Sequence, residues 1–231
     1  MCSSDLVEAI LEDMPLKQKT FAEIEKHVRP DTILASNTSV MPITEIMQGL
    51  KHRERALGTH WWNPPFLVPL VEVIGTQWTS QAAIDFTMKL HADAGKEPAH
   101  VKKDVPGFIG NRLQHALWRE AVSLVERGIC DAETVDRVIK AAFGRRLAVL
   151  GPLENADLVG TDLTLAIHKT VLPDIEHRPG PSPYLERLVA EGKLGFKSGE
   201  GFRKWSAEEQ AALRAKVLQH LKKARENDAK R

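Results

Sequence analysis

Residues 15–102 alternate between helix-like and strand-like segments, and this alternation limits the possible folds more than any other feature of the sequence. Pro15 suits the first turn of a helix, whose apolar stripe continues until Arg29 and Pro30 end it. Thr32–Ala35 is a short apolar run typical of a buried strand. The same criteria predict helices at 43–50 and 80–94, strands at 56–59 and 98–102, and a buried apolar run at 67–74. Such alternation is typical of an α/β fold.

After Lys102 the strand-like pattern disappears. Pro106 and Gly107 break the chain, and apolar residues then recur at steps of three and four until Gly128, which predicts a long helix. Further helices are expected at 131–143, where Asp131 and Thr134 can cap the first turn, at 151–171 and at 183–191. The sequence therefore predicts two domains, an α/β domain over 1–104 and an all-helical domain over 105–231.

Composition excludes several classes of function. The chain has 231 residues and a formal net charge of +1, so there is no global electrostatic reason to expect binding to nucleic acid or to a membrane surface. It has no apolar run of about 18 residues and no signal-peptide core, so neither a membrane span nor secretion is expected. Two cysteines cannot build a disulfide framework or a metal site of their own. We expect a cytoplasmic protein without a bound metal.

One histidine and one carboxylate lie among residues that are otherwise typical of buried strands. His60 follows the strand predicted at 56–59, and Glu72 lies inside the apolar run 67–74. Histidine titrates at roughly pH 6.5, which suits general acid and base catalysis, and a carboxylate can fix its tautomer. These residues alone leave two interpretations open: a catalytic pair, or a core histidine with Glu72 on the outer side of a half-buried strand.

Four motifs, taken in order, resemble those of the L-3-hydroxyacyl-CoA dehydrogenase family. They are Ser36-Asn37-Thr38-Ser39, Gly58-Thr59-His60 followed by Asn63-Pro64, Leu70-Val71-Glu72-Val73, and Pro106-Gly107-Phe108-Ile109-Gly110-Asn111-Arg112. The resemblance implies a Rossmann-type NAD-binding domain, here incomplete, followed by a helical domain that carries a dimer contact. It implies that His60 is the catalytic base, that Glu72 orients it, and that Ser39 and Asn111 line the substrate site.

The resemblance also assigns a set of residues to the NAD cofactor. These residues are Glu12, Lys17, Asn37, Ser39, Asn63 and Lys197. Lys197 lies in a glycine-rich segment that resembles the family's closing loop. Without the resemblance, Glu12 and Lys17 would be interpreted as solvated residues at the exposed start of a helix.

The first residues depart from the family pattern. Residues 1–6 show no periodicity, and the pattern Asp-x-Val-x-Glu-Ala needs one more residue between Val7 and Glu8 than the chain has. No Gly-x-Gly-x-x-Gly nucleotide-binding motif occurs in the sequence. We therefore expect an N-terminally truncated gene product with a non-native leader at residues 1–6. We also expect the fragment to be inactive.

The implied reaction is oxidation of a 3-hydroxyacyl-CoA to its 3-keto form by NAD. Trp61-Trp62 and the prolines that follow are similar to the gulonate dehydrogenase (lambda-crystallin) branch, so L-gulonate and L-carnitine remain rival substrates. A non-catalytic, crystallin-like protein or an inert fragment is a further alternative. The 3-hydroxyisobutyrate and 6-phosphogluconate dehydrogenases are disfavoured, because no lysine lies between Asn111 and Lys140 to serve as theirs does.

Overall fold

A five-stranded sheet forms the centre of the N-terminal half. The computed structural model describes residues 5–228. The strands are β1 (Asp5–Glu8), β2 (Ile33–Ser36), β3 (Ala56–Trp61), β4 (Leu70–Gly75) and β5 (Glu97–Val101), and they lie in this order across the sheet. β1 with β2, β2 with β3, and β4 with β5 are parallel, whereas β3 and β4 are antiparallel.

Helices connect the parallel strands and cover both faces of the sheet. α1 (Met14–Ile24) begins where Asp13 accepts a hydrogen bond from the Leu16 amide at 2.8 Å. α2 (Ile43–Met47) follows β2, and α3 (Gln81–Asp93) is capped by Ser80. Successive strand residues point to opposite faces, so two apolar clusters form. One contains Phe21, Leu34, Ile43, Ile46 and Met47, and the other contains Ile33, Ala35, Leu57, Val73 and Ile84.

Six helices occupy most of the remaining chain. They are α4 (Gly110–Glu126), α5 (Ala132–Ala141), α6 (Pro152–Val159), α7 (Thr161–Val171), α8 (Pro183–Ala190) and α9 (Ala207–Asp228). The chain divides into two compact units. The first runs to Gln114 and also includes α9 from Val217 onward, and the second is His115–Lys216. Within the described residues, only isolated β-bridges follow β5, at Gly195, Glu200 and Lys204.

The predicted fold class is confirmed, and several element boundaries are corrected. The helix expected at 151–171 is two helices, because Gly160 adopts a φ of +99° between α6 and α7. α9 was not predicted at all. The expected leader, residues 1–6, lies partly outside the described residues, and its last two residues, Asp5 and Leu6, form the first half of β1 and pair with Ile33 and Leu34.

Candidate active site

His60 and Glu72 are directly opposite each other on adjacent antiparallel strands, β3 and β4. The His60 Nδ1 atom lies 2.8 Å from Glu72 Oε2. Both side chains are buried, with relative exposures of 4% for His60 and 1% for Glu72. A half-buried outward position for Glu72 is therefore wrong. Because a carboxylate only accepts hydrogen bonds, Nδ1 carries a proton and the lone pair of a neutral His60 is on Nε2.

The second oxygen of Glu72 is occupied by the start of α4. Glu72 Oε1 accepts hydrogen bonds from the amides of Ile109 at 2.9 Å and Gly110 at 3.0 Å. Burial raises the pKa of Glu72, but the hydrogen bonds from His60, Gly110 and Ile109 together outweigh it, so the pKa lies below its usual value. Glu72 is thus held as an anion beside the His60 ring.

Aromatic residues frame the imidazole. The His60 ring centroid lies 5.4 Å from that of Trp62 and 5.5 Å from that of Phe108. Phe108 has a φ of +51°, and a Cβ added to Gly110 would lie 2.3 Å from Trp62 Cζ2. The sequence interpretation did not assign a role to Trp62, Phe108 or Gly110. The signal for Phe108 and Gly110 was the Pro-Gly-Phe-Ile-Gly segment, whose glycines allow close approach of the backbone.

A second set of polar groups surrounds the carboxyl end of β2. The Ser39 amide donates to Glu12 Oε1 at 2.7 Å, and the Ser39 carbonyl accepts from Asn111 Nδ2 at 2.8 Å. Thr38 Oγ1 donates to Glu12 as well, at 2.9 Å to Oε2. The structure therefore brings Glu12, Ser39 and Asn111 together in one hydrogen-bonded chain.

Asn37 contacts the last residue of β3, and Asn63 follows this strand by two positions. Asn37 Oδ1 accepts a hydrogen bond from the Trp61 amide at 3.0 Å, which ties the residue after β2 to the residue after His60. Asn63 is exposed, three positions beyond His60, and precedes a cis bond to Pro64. Asn37 is thus fixed next to the backbone that carries His60.

Lys17 is buried, so the solvated helix start that the sequence would indicate without the family resemblance is wrong. Its side chain is 1% exposed, and Nζ donates to Glu8 Oε1 at 2.8 Å. Ile10 O lies 3.4 Å and Glu12 Oε2 3.6 Å from the same nitrogen. Ser36 Oγ in turn donates to Glu8 Oε2 at 2.6 Å. A buried lysine needs such partners, and they depend on the pairing of β1 with β2, which the sequence did not reveal. A cofactor contact by Lys17 stays a prediction.

Lys197 lies in the second unit, on an exposed turn. Ser198 stabilises this turn, because its Oγ accepts from the Leu194 amide at 2.7 Å and donates to Glu200 O at 2.8 Å. The bridge between Gly195 and Glu200 closes the same turn. The predicted glycine-rich segment is therefore an ordered turn, and the cofactor contact of Lys197 stays a prediction.

The polar groups at the carboxyl end of β2 fit part of a dinucleotide. In open α/β sheets, ligands bind beyond the carboxyl ends of the strands. Glu12 is a carboxylate with a 41% exposed side chain that is held by Thr38 and Ser39, so it could accept hydrogen bonds from ribose hydroxyls. Asn37, which also follows β2, presents an amide whose oxygen accepts from the Trp61 backbone. The glycine-rich loop that normally binds the pyrophosphate has no counterpart in the sequence.

Membrane-spanning helices and metal-binding groups of side chains are both absent from the described residues. Among residues 5–228, no helix combines the length and the apolar character needed to cross a membrane. No group of three or more His, Cys, Asp or Glu side chains in that part of the chain is arranged to hold a metal ion.

Sequence comparison finds relatives with two kinds of substrate in their names. The 5-formyl-3-hydroxy-2-methylpyridine 4-carboxylate 5-dehydrogenase of Mesorhizobium japonicum is 36% identical over 216 residues, which cover 94% of this chain and 70% of that protein. Human mitochondrial hydroxyacyl-coenzyme A dehydrogenase is 40% identical over 208 residues, covering 88% of this chain and 64% of the human protein. The chain thus spans less than two thirds of the length of the human enzyme.

Solved structures give the same two relationships. A crystal structure of the 5-formyl-3-hydroxy-2-methylpyridine 4-carboxylic acid 5-dehydrogenase, described as an NAD⁺-dependent dismutase, superposes with a TM-score of 0.90 at 35% identity. The superposition covers 94% of this chain and 71% of the dehydrogenase chain. The (S)-3-hydroxybutyryl-CoA dehydrogenase PaaH1 of Ralstonia eutropha superposes with a TM-score of 0.70 at 33% identity, and the match covers 88% of this chain and 71% of that one.

Two family models match nearly the whole sequence. The NAD-binding domain of 3-hydroxyacyl-CoA dehydrogenase matches residues 1–105, and the C-terminal domain of the same enzyme matches residues 107–205. NAD is accordingly the cofactor of the first domain. Together with the paired His60 and Glu72, these matches show that the chain belongs to the 3-hydroxyacyl-CoA dehydrogenase family.

Proposed function

We propose that the protein oxidises the 3-hydroxy group of an L-3-hydroxyacyl-CoA to a 3-keto group, with NAD as hydride acceptor. The observation that carries this proposal is the buried contact of 2.8 Å between His60 Nδ1 and Glu72 Oε2. It gives His60 a protonated Nδ1 and a basic Nε2, the tautomer that a general base for a hydroxyl group needs.

In this reaction the substrate loses a proton to His60 and a hydride to NAD. His60 Nε2 takes the hydroxyl proton, the C–O bond gains double-bond character, and the hydride leaves the same carbon. Bound NAD supplies the hydride acceptor, which is the chemistry that the protein lacks. Glu72 stabilises the imidazolium that results, because its pKa is low enough for it to remain an anion. Ser39 and Asn111 supply polar groups for the substrate in this proposal.

The remaining assignments belong to the same proposal. Glu12, Lys17, Asn37, Ser39, Asn63 and Lys197 hold the cofactor. Residues 1–104 form the NAD-binding domain, and residues 105–231 form the helical domain of a cytoplasmic protein. The unit His115–Lys216 supports a homodimer, because large apolar side chains on it are exposed; examples are Trp118 at 50%, Leu153 at 79% and Leu158 at 72%. Exposed apolar patches of this kind mark interaction surfaces.

A second candidate is a dehydrogenase for a small hydroxy compound without CoA. A substrate without CoA is favoured by the TM-score of 0.90 with the enzyme named for a formyl-pyridine carboxylate, against 0.70 with the enzyme named for 3-hydroxybutyryl-CoA. L-Gulonate and L-carnitine are the aliphatic rivals. A crystallin-like, non-catalytic role is the third possibility, and turnover of any of these substrates would remove it.

The protein to assay, called full-length here, is one extended to the length of its relatives, of which this chain covers 70% and 64% in two cases. NAD reduction is followed with 3-hydroxybutyryl-CoA, L-gulonate, L-carnitine and the pyridine carboxylate substrate side by side, with His60→Gln as the control. We expect turnover of the CoA thioester that His60→Gln abolishes. Turnover of a small hydroxy compound with none of any CoA thioester would replace the first candidate by the second. Turnover that His60→Gln leaves unchanged would overturn the catalytic assignment.

A further inference from the structure

The loop between His60 and Glu72 has little internal support. It comprises residues 62–69 and joins β3 to β4. Pro64, Pro65 and Pro69 have no amide hydrogen to donate. The loop's own backbone hydrogen bonds run from the amides of Leu67 and Val68 to Pro64 O, both at 3.0 Å. Something outside the loop must therefore fix its path past His60.

Lys96, in the turn between α3 and β5, contacts this loop at several points. Its Nζ donates to Pro65 O and, at 3.3 Å, to Val68 O. The same ammonium lies 5.0 Å from the centroid of the Trp61 ring, a cation–π contact with the residue next to His60. The adjacent amide of Glu97 donates to Pro69 O at 3.0 Å. Lys96 and the adjacent Glu97 amide thus contact the carbonyls of Pro65, Val68 and Pro69, and Lys96 also contacts the ring that precedes the loop.

The surroundings of Lys96 make the charge costly. Burial lowers the pKa of Lys96, and the nearby Arg225 lowers it further. On the other side of Trp61, the His91 ring lies 5.1 Å away in an edge-on contact. Burial, with Lys96 nearby, lowers the pKa of His91. An apolar residue at position 96 would avoid this cost, but it would leave Pro65 O and Val68 O without their ammonium donor.

We propose that Lys96 is a positioning residue for the active site, which acts through the loop of residues 62–69. The inference rests on the proposed function of His60. Trp61 points to the face of the sheet opposite His60, so Lys96 does not touch the base. It contacts the Trp61 ring on one side of Trp62 and Asn63, and the Pro65 carbonyl on the other. Between these contacts, the Trp62 ring centroid lies 5.4 Å from that of His60.

The test compares Lys96→Met, which keeps the length of the side chain, with Lys96→Arg, which keeps the charge and the donors. Lys89→Met is the matched control, because Lys89 is an exposed lysine of α3 whose ion pair with Asp93 is at the surface. Hydrogen exchange is measured in the 231-residue chain at the amides of Leu67 and Val68. We expect exchange there to rise about tenfold in Lys96→Met, as expected for local opening, and to stay unchanged in Lys89→Met.

Kinetics in the full-length protein separate positioning from mere stability. We expect Lys96→Met to lower kcat by about tenfold to a hundredfold, the usual effect of a small misplacement of reacting groups, with KM changed by less than about threefold. Lys96→Arg should recover most of the loss. A kcat of Lys96→Met within twofold of wild type, or equal losses in both variants, overturns the proposal. Should Lys96→Met fail to fold, Lys96→Gln takes its place under the same criteria. His60→Gln, assayed in parallel, reports separately on the proposed function.

Discussion

Replacing Glu72 by glutamine changes three hydrogen bonds and one charge at the centre of the site. The glutamine oxygen can still accept from the Ile109 and Gly110 amides, but as a neutral group. Hydrogen bonds to a charged group are worth about 1.5–3 kcal/mol and neutral ones about 0.5–1.5 kcal/mol, so the two bonds together lose about 2 kcal/mol. The lower cost of burying a neutral amide offsets part of this loss. We expect Glu72→Gln to lower the free energy of unfolding by about 1–2 kcal/mol.

The catalytic effect of Glu72→Gln comes from the hydrogen bond between this residue and His60 Nδ1. The glutamine can turn its amide NH₂ towards His60 Nδ1, which then becomes the acceptor and moves the ring proton to Nε2. Nε2 is the atom that must take the substrate proton. We expect kcat to fall by about tenfold to a hundredfold, less than the effect of His60→Gln, because the glutamine still orients the ring. A kcat equal to wild type would refute the dyad, and a loss greater than that of His60→Gln would refute the orienting role.

The pH dependence of unfolding gives an independent check on Glu72. Its pKa is lower in the folded protein than the roughly 4.3 expected in the unfolded chain. The stability that this difference supplies is fully present above the unfolded pKa and is lost as the pH falls through the folded pKa. In denaturant titrations from pH 6 to pH 3, wild type should therefore lose more stability than Glu72→Gln. If the free energy of unfolding fell equally with pH in the two proteins, the lowered pKa of Glu72 would be contradicted.

Three further changes have defined outcomes. His60→Gln in the full-length protein should lower kcat by at least about a hundredfold, the scale of a general base, and leave NADH binding intact in a fluorescence titration. Gly110→Ala should displace Trp62, because the new methyl group would lie 2.3 Å from Trp62 Cζ2. The tryptophan emission should therefore shift and kcat should fall. Gly49→Ala is the control, because a methyl group there would have no atom within 4 Å. The 231-residue chain should show no saturable NADH binding at the affinity of the full-length protein, because its sequence has no Gly-x-Gly-x-x-Gly to bind the pyrophosphate.

Patterns that span a few residues predicted much of this fold. The apolar spacing gave α3, α5 and α8 to within a few residues, and Asp131 caps α5 through the Thr134 amide at 2.7 Å, as expected. α9 was missed because its residues are strongly charged and show no clear apolar stripe. The break at Gly160 was missed because a positive φ at a glycine leaves no mark on the apolar pattern.

The contacts that complete the site could not be predicted, because they depend on how distant segments meet. The motifs identified His60 and Glu72, but only the antiparallel register of β3 and β4 places them opposite each other. The burial of Lys17 requires Glu8 on β1, whose pairing with β2 is not encoded locally. Lys96 belongs to no motif considered in the sequence, and its role is visible only through the carbonyls that it contacts.

Glu72 joins three parts of the chain, and this explains why a buried carboxylate is tolerated there. Its two oxygens accept hydrogen bonds from His60 on β3, and from the backbone amides of Gly110, the first residue of α4, and of Ile109 just before it. A carboxylate at a helix N-terminus is favoured by the exposed amides and the helix dipole. If the start of α4 moved away from β4, Glu72 would lose two of the three hydrogen bonds that lower its pKa, so the anion beside His60 would be less favoured. The base is therefore complete only when the start of α4 is docked on β4, so that formation of the catalytic pair depends on the segment that leads out of the α/β domain.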